Sequence, residues 1–92
     1  MIRSIRHKGL RRLVEDDDPR AVNPEHVRKL RLIMAMLAAA SAIEDLAVPA
    51  FRLHPLKGQL DGFWAISVGA NWRVIFRFED GDAYEVDYVD YH

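Results

Sequence analysis

The side chains best suited to proton transfer in this sequence are two of its four histidines, His54 and the final residue, His92. Histidine changes its charge near neutrality, so one imidazole can take a proton while another gives one. Two cationic side chains accompany them: Lys57 follows His54 by three residues, and Arg73 lies in a run of strand-forming residues. A guanidinium binds a phosphate through its planar fork, and an ammonium binds it as a point charge. These residue types predict chemistry on a phosphodiester, with the order of the two proton-transfer roles left open.

The elements that must position these groups lie in the second half of the chain, where the apolar residues change from helical spacing to alternation. Runs rich in strand formers cover 51–54, 63–68, 72–78 and 83–89. The segments 69–71 and 79–82 between them are rich in Gly, Asn and Asp, which is typical of hairpin turns. The pattern predicts an antiparallel meander of three or four strands.

Alternation along these strands assigns each side chain to one face of the sheet. The predicted core face holds Phe51, Leu53, Trp72, Val74, Phe76, Phe78, Tyr84, Val86 and Tyr88. The predicted open face holds Arg52, His54, Arg73, Ile75, Arg77, Glu85, Asp87, Val89 and Tyr91, with Lys57 in the loop past His54. Cations, an imidazole and a phenol on one face suit a phosphodiester substrate.

The end of the last strand conflicts with strict alternation. Continued past Tyr88, the strand would turn Asp90 and His92 toward the core, where unpaired polar groups are costly to bury. Either the strand ends near Tyr88 or a bulge re-aims the tail. We expect the tail to leave the strand and to place both groups near the open face, where Asp90 would orient or protonate a histidine.

The first half of the chain is predicted to be mainly helical. A short strand over 2–6 and a helix over 7–14 are predicted first. The acidic run 15–18 with Pro19 ends this helix and is predicted to be a loop, because proline disfavours helix in the residue before it. A longer helix begins at Asn23, a good N-cap, with Pro24 in its first position. Its apolar residues recur at 27, 30, 34 and 37, the spacing of one helix face.

Smaller features complete the helical half. Ser41 and Glu44 form a possible capping box for one further turn, and Pro49 ends the half. His7 and His26 lie at helix starts and are interpreted as structural. The whole pattern predicts one α+β domain over 1–92, with N-terminal helices packed on one face of a small, mostly antiparallel sheet, since neither layer can bury its apolar side alone.

Composition narrows the classes of protein. A chain of 92 residues supports one domain. The absence of cysteine excludes disulfides, thiolate nucleophiles and Cys-ligated zinc. No apolar run approaches the ~20 residues of a membrane span, and no signal core follows the basic start, so we expect a cytoplasmic protein. The net charge of −1 hides an asymmetry, with 11 basic and 7 acidic residues in 1–60 against 2 and 7 in 61–92.

Several segments, spread over nearly the whole chain, resemble a known family. They are 1–4 (MIRS), 6–10 (RHKGL), 51–58 (FRLHPLKG), 64–68 (WAISV), 71–74 (NWRV), 81–84 (GDAY) and 90–92 (DYH). In this order the set is similar to the HigB toxins. These belong to the RelE-like toxins of type II toxin–antitoxin systems, also called plasmid maintenance killer proteins.

The resemblance implies a compact toxin that cleaves mRNA in the A site of the 70S ribosome and stops translation. It implies a cognate HigA-like antitoxin with a helix-turn-helix fold, through which alone the complex would bind operator DNA, and no membrane. The family's active-site pattern matches His54, Lys57, Arg73, Asp90, Tyr91 and His92. Arg52 and Arg77 are predicted to support RNA binding. We expect no cofactor and no metal, since His54, Asp90 and His92 lack a recognised ligand spacing.

The chain departs from the family in charge and leaves two other functions open. RelE-like nucleases tend to be strongly basic, and the acidic run and acidic last strand weaken the expected attraction to ribosomal RNA. A non-catalytic ParE-like toxin that binds gyrase shares the architecture but lacks this His and Asp-Tyr-His set. A simple RNA- or protein-binding module would use the basic first half. Taken singly, Arg73 and Arg77 are more typical of cross-strand partners of Glu85 or Asp87.

Overall fold

The secondary structure of the computed structural model, which describes residues 1–90, follows the predicted order of helices and strands. Within that range the elements are α1 (Lys8–Asp16), α2 (Val27–Ala39), β1 (His54–Pro55), β2 (Trp64–Gly69), β3 (Trp72–Glu79) and β4 (Asp82–Asp90). Short 3₁₀ turns at Pro24–His26, Ile43–Leu46, Pro49–Phe51 and Gly58–Leu60 join them. None of the described helices is long and apolar enough to cross a membrane.

Side-chain caps define where the helices begin. The His7 Nδ1 accepts a hydrogen bond from the Leu10 amide (3.0 Å) and caps α1. The Asn23 side chain accepts from the Glu25 amide (2.9 Å), which confirms the predicted cap, although it opens a 3₁₀ turn and α2 proper begins at Val27. The predicted capping role of Glu44 is wrong. The carboxylate of the next residue, Asp45, accepts from the backbone amides of Ser41 (3.0 Å) and Ala42 (3.1 Å).

The four strands form one antiparallel sheet in the order β1-β2-β3-β4, and the helices cover one of its faces. The core lies between these layers. Its largest fully buried side chains are Phe51, Phe76, Leu10, Leu30, Ile33, Leu37, Leu46, Ile66, Val74 and Val86. The predicted α+β fold class is therefore confirmed.

The predicted strand at the start of the chain lies along the outer edge of β4. Ile2 bridges Ala83 and Ile5 bridges Val86, both in the parallel sense. The Arg3 and Arg6 amides donate to the carbonyl oxygens of these two β4 residues, each at 2.7 Å. The first residues therefore cover an edge that would otherwise be open to pairing with another chain.

A bulge in β4 changes which of its side chains face the core. Ile75 of β3 pairs with Asp87, whereas Arg77 pairs with Tyr84, so two β4 residues oppose Phe76 alone. Glu85, one of the two, has a left-handed backbone (φ 52°). An extra residue inverts the alternation beyond it. The prediction that Tyr84 faces the core is therefore wrong: Ala83 takes that place, and Tyr84 lies on the same face as Arg77.

The face of the sheet away from the helices is not uniformly polar. Leu56, Phe63, Ala65 and Ile75 form a second small buried cluster there, with Leu60 and Val89 packed against it. The loop after β1 folds over this cluster, and the Leu56 amide donates to the Phe63 carbonyl oxygen (2.8 Å). The cluster thus anchors the segment that follows His54.

Candidate active site

The sheet register places His54 and Arg73 on the open face, as predicted. The Cα partners His54, Ala65, Ile75 and Asp87 form one row across the four strands. Ser67, Arg73 and Val89 form the row two residues along. Residues in such rows project from the same face. With strands ~4.8 Å apart and ~3.3 Å per residue, the Cα atoms of His54 and Arg73 are about 12 Å apart. Between them on this face, Ser67 is half-buried and Ala65 is buried in the small cluster with Leu56, Phe63 and Ile75.

The orientation of the His54 imidazole is set by the backbone of Arg52. The His54 Nδ1 lies 2.8 Å from the Arg52 carbonyl oxygen. A carbonyl oxygen only accepts, so Nδ1 carries the proton, and in the neutral ring the Nε2 lone pair is available to take one. Arg52 itself has a left-handed backbone (φ 48°, ψ 45°). Non-glycine residues in this region are strained, and such strain concentrates at functional sites.

Arg73 is held against the hairpin turn that precedes it. Its Nη1 donates to the carbonyl oxygens of Ala70 (3.2 Å) and Trp72 (3.1 Å). Gly69 pairs with Trp72 across this turn, and Ala70 has a positive φ of 48°. A guanidinium has five N–H donors in a rigid fork, so a side chain fixed at one nitrogen still presents donors to an anion. Arg73 is thus placed by the turn and equipped to bind a phosphate.

A groove of about 590 Å³ begins at Arg73 and runs past the end of β2. Its cationic side chains come from three separate elements: Lys29 of α2, Arg52 before β1, and Arg73 of β3. The other lining residues are Pro49, Ala50, Ser67, Val68, Gly69 and Ala70. Arg52 and Arg73 are among the predicted site residues, whereas Lys29 is not, because its only signal in the sequence is a basic residue off the apolar stripe of α2.

Lys57 lies away from this groove, on the far side of His54. It is exposed and immediately precedes the turn Gly58–Leu60. Because the chain is extended at β1, the Cα atom of Lys57 lies up to about 10 Å beyond that of His54. His54 therefore lies between Arg73 of β3 and Lys57 on the open side of the sheet.

Arg77 is not brought to the Arg73 end of the face. Its Nε donates to the Glu85 carboxylate (3.0 Å), and its guanidinium lies over the Phe63 ring (4.4 Å to the centroid). Four residues of strand separate it from Arg73, about 13 Å. The cross-strand ion pair thus accounts for Arg77 without RNA, and the predicted RNA-binding role remains only a prediction.

Asp90 does not leave the strand, so the prediction for it is wrong. β4 continues to Asp90, which pairs with Trp72, and this register directs Asp90 to the helix side of the sheet. Asp90 is exposed at the strand end, one residue from Val89, the partner of Arg73. The reason is that Trp72 extends the hairpin by one more pair, which holds the last described residue in the ladder. Tyr91 and His92 lie outside the described residues.

The helix-side neighbours of Asp90 form an aromatic cluster. The His26 Nδ1 lies 2.6 Å from the Tyr88 hydroxyl, and the Trp72 and Tyr88 rings stack with centroids 4.4 Å apart. Burial raises the pKa of Tyr88, the Asn23 backbone hydrogen bond opposes that shift, and the negative charge of Asp90 adds to it. His26 is buried, which agrees with its interpretation as structural. The cluster packs directly behind the end of β4 and the turn before Arg73.

Comparison with known proteins settles the family. Residues 3–92 match the model of the HigB-like toxins, described as the RelE-like toxin of type II toxin–antitoxin system HigB. The chain belongs to this family. The toxin is 41% identical over 92 residues to Endoribonuclease HigB of Proteus vulgaris, with both chains fully covered. It is 33% identical over 94 residues to Toxin HigB-1 of Vibrio cholerae serotype O1, covering all of the toxin and 98% of that protein.

Solved structures carry the same fold. The toxin matches YafQ from E. coli strain BL21(DE3) with a TM-score of 0.64 at 15% identity, covering 98% of the toxin and 91% of that chain. A single-substitution mutant of E. coli YafQ matches with a TM-score of 0.62 at 21% identity, covering 96% and 92%. The resemblance inferred from the sequence is thus confirmed at the level of family and fold. As a member of this family, the toxin has a cognate antitoxin partner.

Proposed function

We propose that the toxin is a ribosome-dependent endoribonuclease that cleaves translated mRNA in the A site. The observation that carries the proposal is the exposed His54 imidazole, whose Nδ1 donates to the Arg52 carbonyl oxygen and which lies on the same face of the sheet as Arg73. The 41% identity to a protein named an endoribonuclease supports it. The family match is to HigB toxins, which favours a nuclease over the ParE-like gyrase poison.

In the proposed reaction, His54 is the general base. Its Nε2 takes the proton of the ribose 2′-hydroxyl, and the 2′-oxygen forms a bond to the adjacent phosphorus. The guanidinium of Arg73 stabilises the charge on the phosphorane. The ammonium of Lys57, on the far side of His54, adds positive charge beside the RNA strand there. The P–O5′ bond then breaks, the 5′-oxygen receives a proton from the general acid, and the products are a 2′,3′-cyclic phosphate and a 5′-hydroxyl.

The general acid is assigned to the end of the chain. A histidine suits the role, so His92 is the proposed donor, with Asp90 orienting it and Tyr91 stacking on a base. Asp90 is directed to the helix side, but it lies at the end of β4, one residue beyond Val89, which pairs with Arg73. This end position is what allows it to serve the proposed role. The chemistry proposed here uses side chains of the toxin alone.

The partners follow from the same proposal. A HigA-like helix-turn-helix antitoxin would neutralise the toxin, and operator DNA would be bound only through it. The 70S ribosome and its mRNA would be the targets, which places the toxin in the cytoplasm. In this proposal, residues 1–92 form one toxin domain.

The variants His54→Gln and His92→Ala test the assignment. On purified 70S ribosomes carrying an mRNA, each should lower the single-turnover cleavage rate by about 10²–10⁴-fold, the usual contribution of one acid or base. Antitoxin binding, measured by calorimetry, should stay at the wild-type value. The matched control is Gln59→Ala, an exposed residue in the turn after Lys57.

Three outcomes would contradict parts of the proposal. Wild-type cleavage by His54→Gln would remove the base assignment, and wild-type cleavage by His92→Ala would remove the acid assignment. A wild-type toxin that leaves ribosome-bound mRNA intact but stops purified gyrase would establish the ParE-like alternative.

A further inference from the structure

The groove that begins at Arg73 holds more positive charge than the proposed catalytic step requires. Lys29, Arg52 and Arg73 line one space of about 590 Å³, within the ~300–1,000 Å³ typical of ligand sites. Among residues 1–90, those that line the groove include no aspartate or glutamate. Three like charges around one open space repel each other, and an anion in that space removes the repulsion.

We propose that Lys29 and Arg52 bind the phosphate next to the cleaved one, so that the groove holds the mRNA strand on one side of the scissile bond. The inference rests on the proposed function, because it places the scissile phosphate at Arg73. Arg73 lies both in the groove and on the face of His54, so a strand bound at Arg73 can continue into the groove.

The position of the Lys29 ammonium supports this role. Its Nζ donates to the Ala50 carbonyl oxygen (3.0 Å), which ties the side chain from α2 across to the turn Pro49–Phe51. The residue is half-buried. An ammonium has three donors, so one bond to a carbonyl positions the charge and leaves it able to bind a phosphate. A pre-positioned cation loses less side-chain entropy when it binds than a free surface lysine does.

The shape of the groove follows from the shortness of β1. Pairing of β1 with β2 stops at Ala65, whereas β2 continues to Gly69. The β2 edge from Ile66 onward therefore has no β1 partner, and the groove lies along this stretch. An open strand edge also attracts peptide strands. Three cations on the rim favour a polyanion over a peptide, so we commit to RNA.

The experiment combines a protein variant with a neutral linkage in the mRNA. The protein variants are Lys29→Gln and its matched control Arg28→Gln, an exposed arginine on the same helix that does not line the groove. The mRNA, carried by 70S ribosomes, has one uncharged methylphosphonate linkage on either side of the cleaved bond. The measured quantity is the single-turnover cleavage rate, both at limiting and at saturating toxin.

With natural mRNA, Lys29→Gln should lower the rate at limiting toxin by about tenfold, the equivalent of one charge-assisted contact. The rate at saturating toxin should stay unchanged, because the contact is made before and during the reaction alike. The dependence of log rate on log salt should become shallower by about one phosphate contact. Arg28→Gln should match the wild type.

The neutral linkage identifies the contact. At one of the two flanking positions the methylphosphonate should slow the wild type by about the same tenfold, and Lys29→Gln should show no further loss there. The two losses should multiply at the other position. If they multiply at both positions, Lys29 does not touch the mRNA and the inference is wrong.

Two further results would also overturn it. The first is equal behaviour of Lys29→Gln and Arg28→Gln on natural mRNA. The second is loss of antitoxin binding by Lys29→Gln with unchanged cleavage, which would assign the groove to a peptide. Failure of the proposed function looks different, because the wild type itself would then leave ribosome-bound mRNA uncut.

Discussion

At the scale of single residues, the site depends on backbone atoms as much as on side chains. The Arg52 carbonyl oxygen fixes which nitrogen of His54 is free, and the Ala70 carbonyl oxygen holds Arg73. Both of these residues have a positive φ of 48°. The strained conformation thus recurs at the two positions that orient the proposed base and the proposed phosphate ligand. Behind them, the buried bond between His26 and Tyr88 supports the end of β4.

The Tyr88 hydroxyl makes the free energy of unfolding decrease as the pH rises into the alkaline range. Burial raises its pKa in the folded state above the unfolded value of about 10. The neutral form is therefore favoured by folding, so this stability is fully present below pH 10 and is lost as the pH rises through the folded value. In urea unfolding between pH 8 and 11, Tyr88→Phe should be less stable at pH 8 by about 1–3 kcal/mol, because it leaves His26 without its partner.

The pH dependence of the same urea unfolding experiment separates the titration of Tyr88 from the loss of its hydrogen bond to His26. The Tyr88→Phe curve should be flatter than that of the wild type above pH 10, and Tyr84→Phe on the open face should keep the wild-type slope. Parallel curves for Tyr88→Phe and wild type would mean that Tyr88 does not titrate differently on folding.

At the scale of elements, the hairpin between β2 and β3 is the part that positions Arg73. Its two-residue turn requires a left-handed residue at position 70, where the chain has alanine. Asparagine tolerates this conformation better than alanine does. The turn therefore forms at a cost that β2, β3 and the packing beneath them offset.

Ala70→Asn should therefore stabilise the toxin by about 0.5–1 kcal/mol, or a few degrees in Tm for a domain of this size. The control Ala47→Asn, an exposed position with φ −84°, should give no gain. Thermal unfolding followed by circular dichroism measures both. An unchanged or lower Tm for Ala70→Asn would show that the left-handed alanine is not a source of strain.

At the scale of the whole molecule, the two apolar clusters have different structural roles. The large one between helices and sheet holds the fold together, and the small one on the opposite face holds the loop that follows His54. Although the net charge is −1, the three cations Lys29, Arg52 and Arg73 line one groove at the end of β2. Much of the basic N-terminal segment is occupied elsewhere: Arg3 pairs with Asp82, and Arg6 lies 4.0 Å from Glu85.

Matched leucine truncations should separate these two roles. Leu30→Ala removes a fully buried side chain from the large cluster and should cost about 2–5 kcal/mol of unfolding free energy. Leu56→Ala, in the small cluster at 8% exposure, should cost less and lower cleavage of ribosome-bound mRNA more strongly. Urea unfolding and single-turnover cleavage, run on both variants, test this. If Leu30→Ala and Leu56→Ala lost equal unfolding free energy and equal activity, the two clusters would not have separate roles.

The sequence by itself determined the family, the element order and the two faces of β3. These depend on local periods, caps and turn residues, which act over a few neighbours. Alternation placed Arg73 and His54 on the open face correctly because the pairing from His54 through Ala65 and Ile75 to the Ser67–Arg73 pair is regular, and the irregularity between β2 and β3 begins only after Ser67. The ordered motifs indicated the same site residues that the proposal uses.

Only the tertiary structure decided the rest, because those features depend on atoms far apart in the chain. The β4 bulge moved Tyr84 to the open face, the ladder with Trp72 kept Asp90 in the strand, and of the two acids that the pattern offered to Arg77 the structure selects Glu85. The groove is lined by residues 29, 52 and 73, whose proximity no local pattern encodes. Pairing register and long-range contacts are properties of the packed chain, since one inserted residue or one ion pair changes them without altering the hydrophobic pattern.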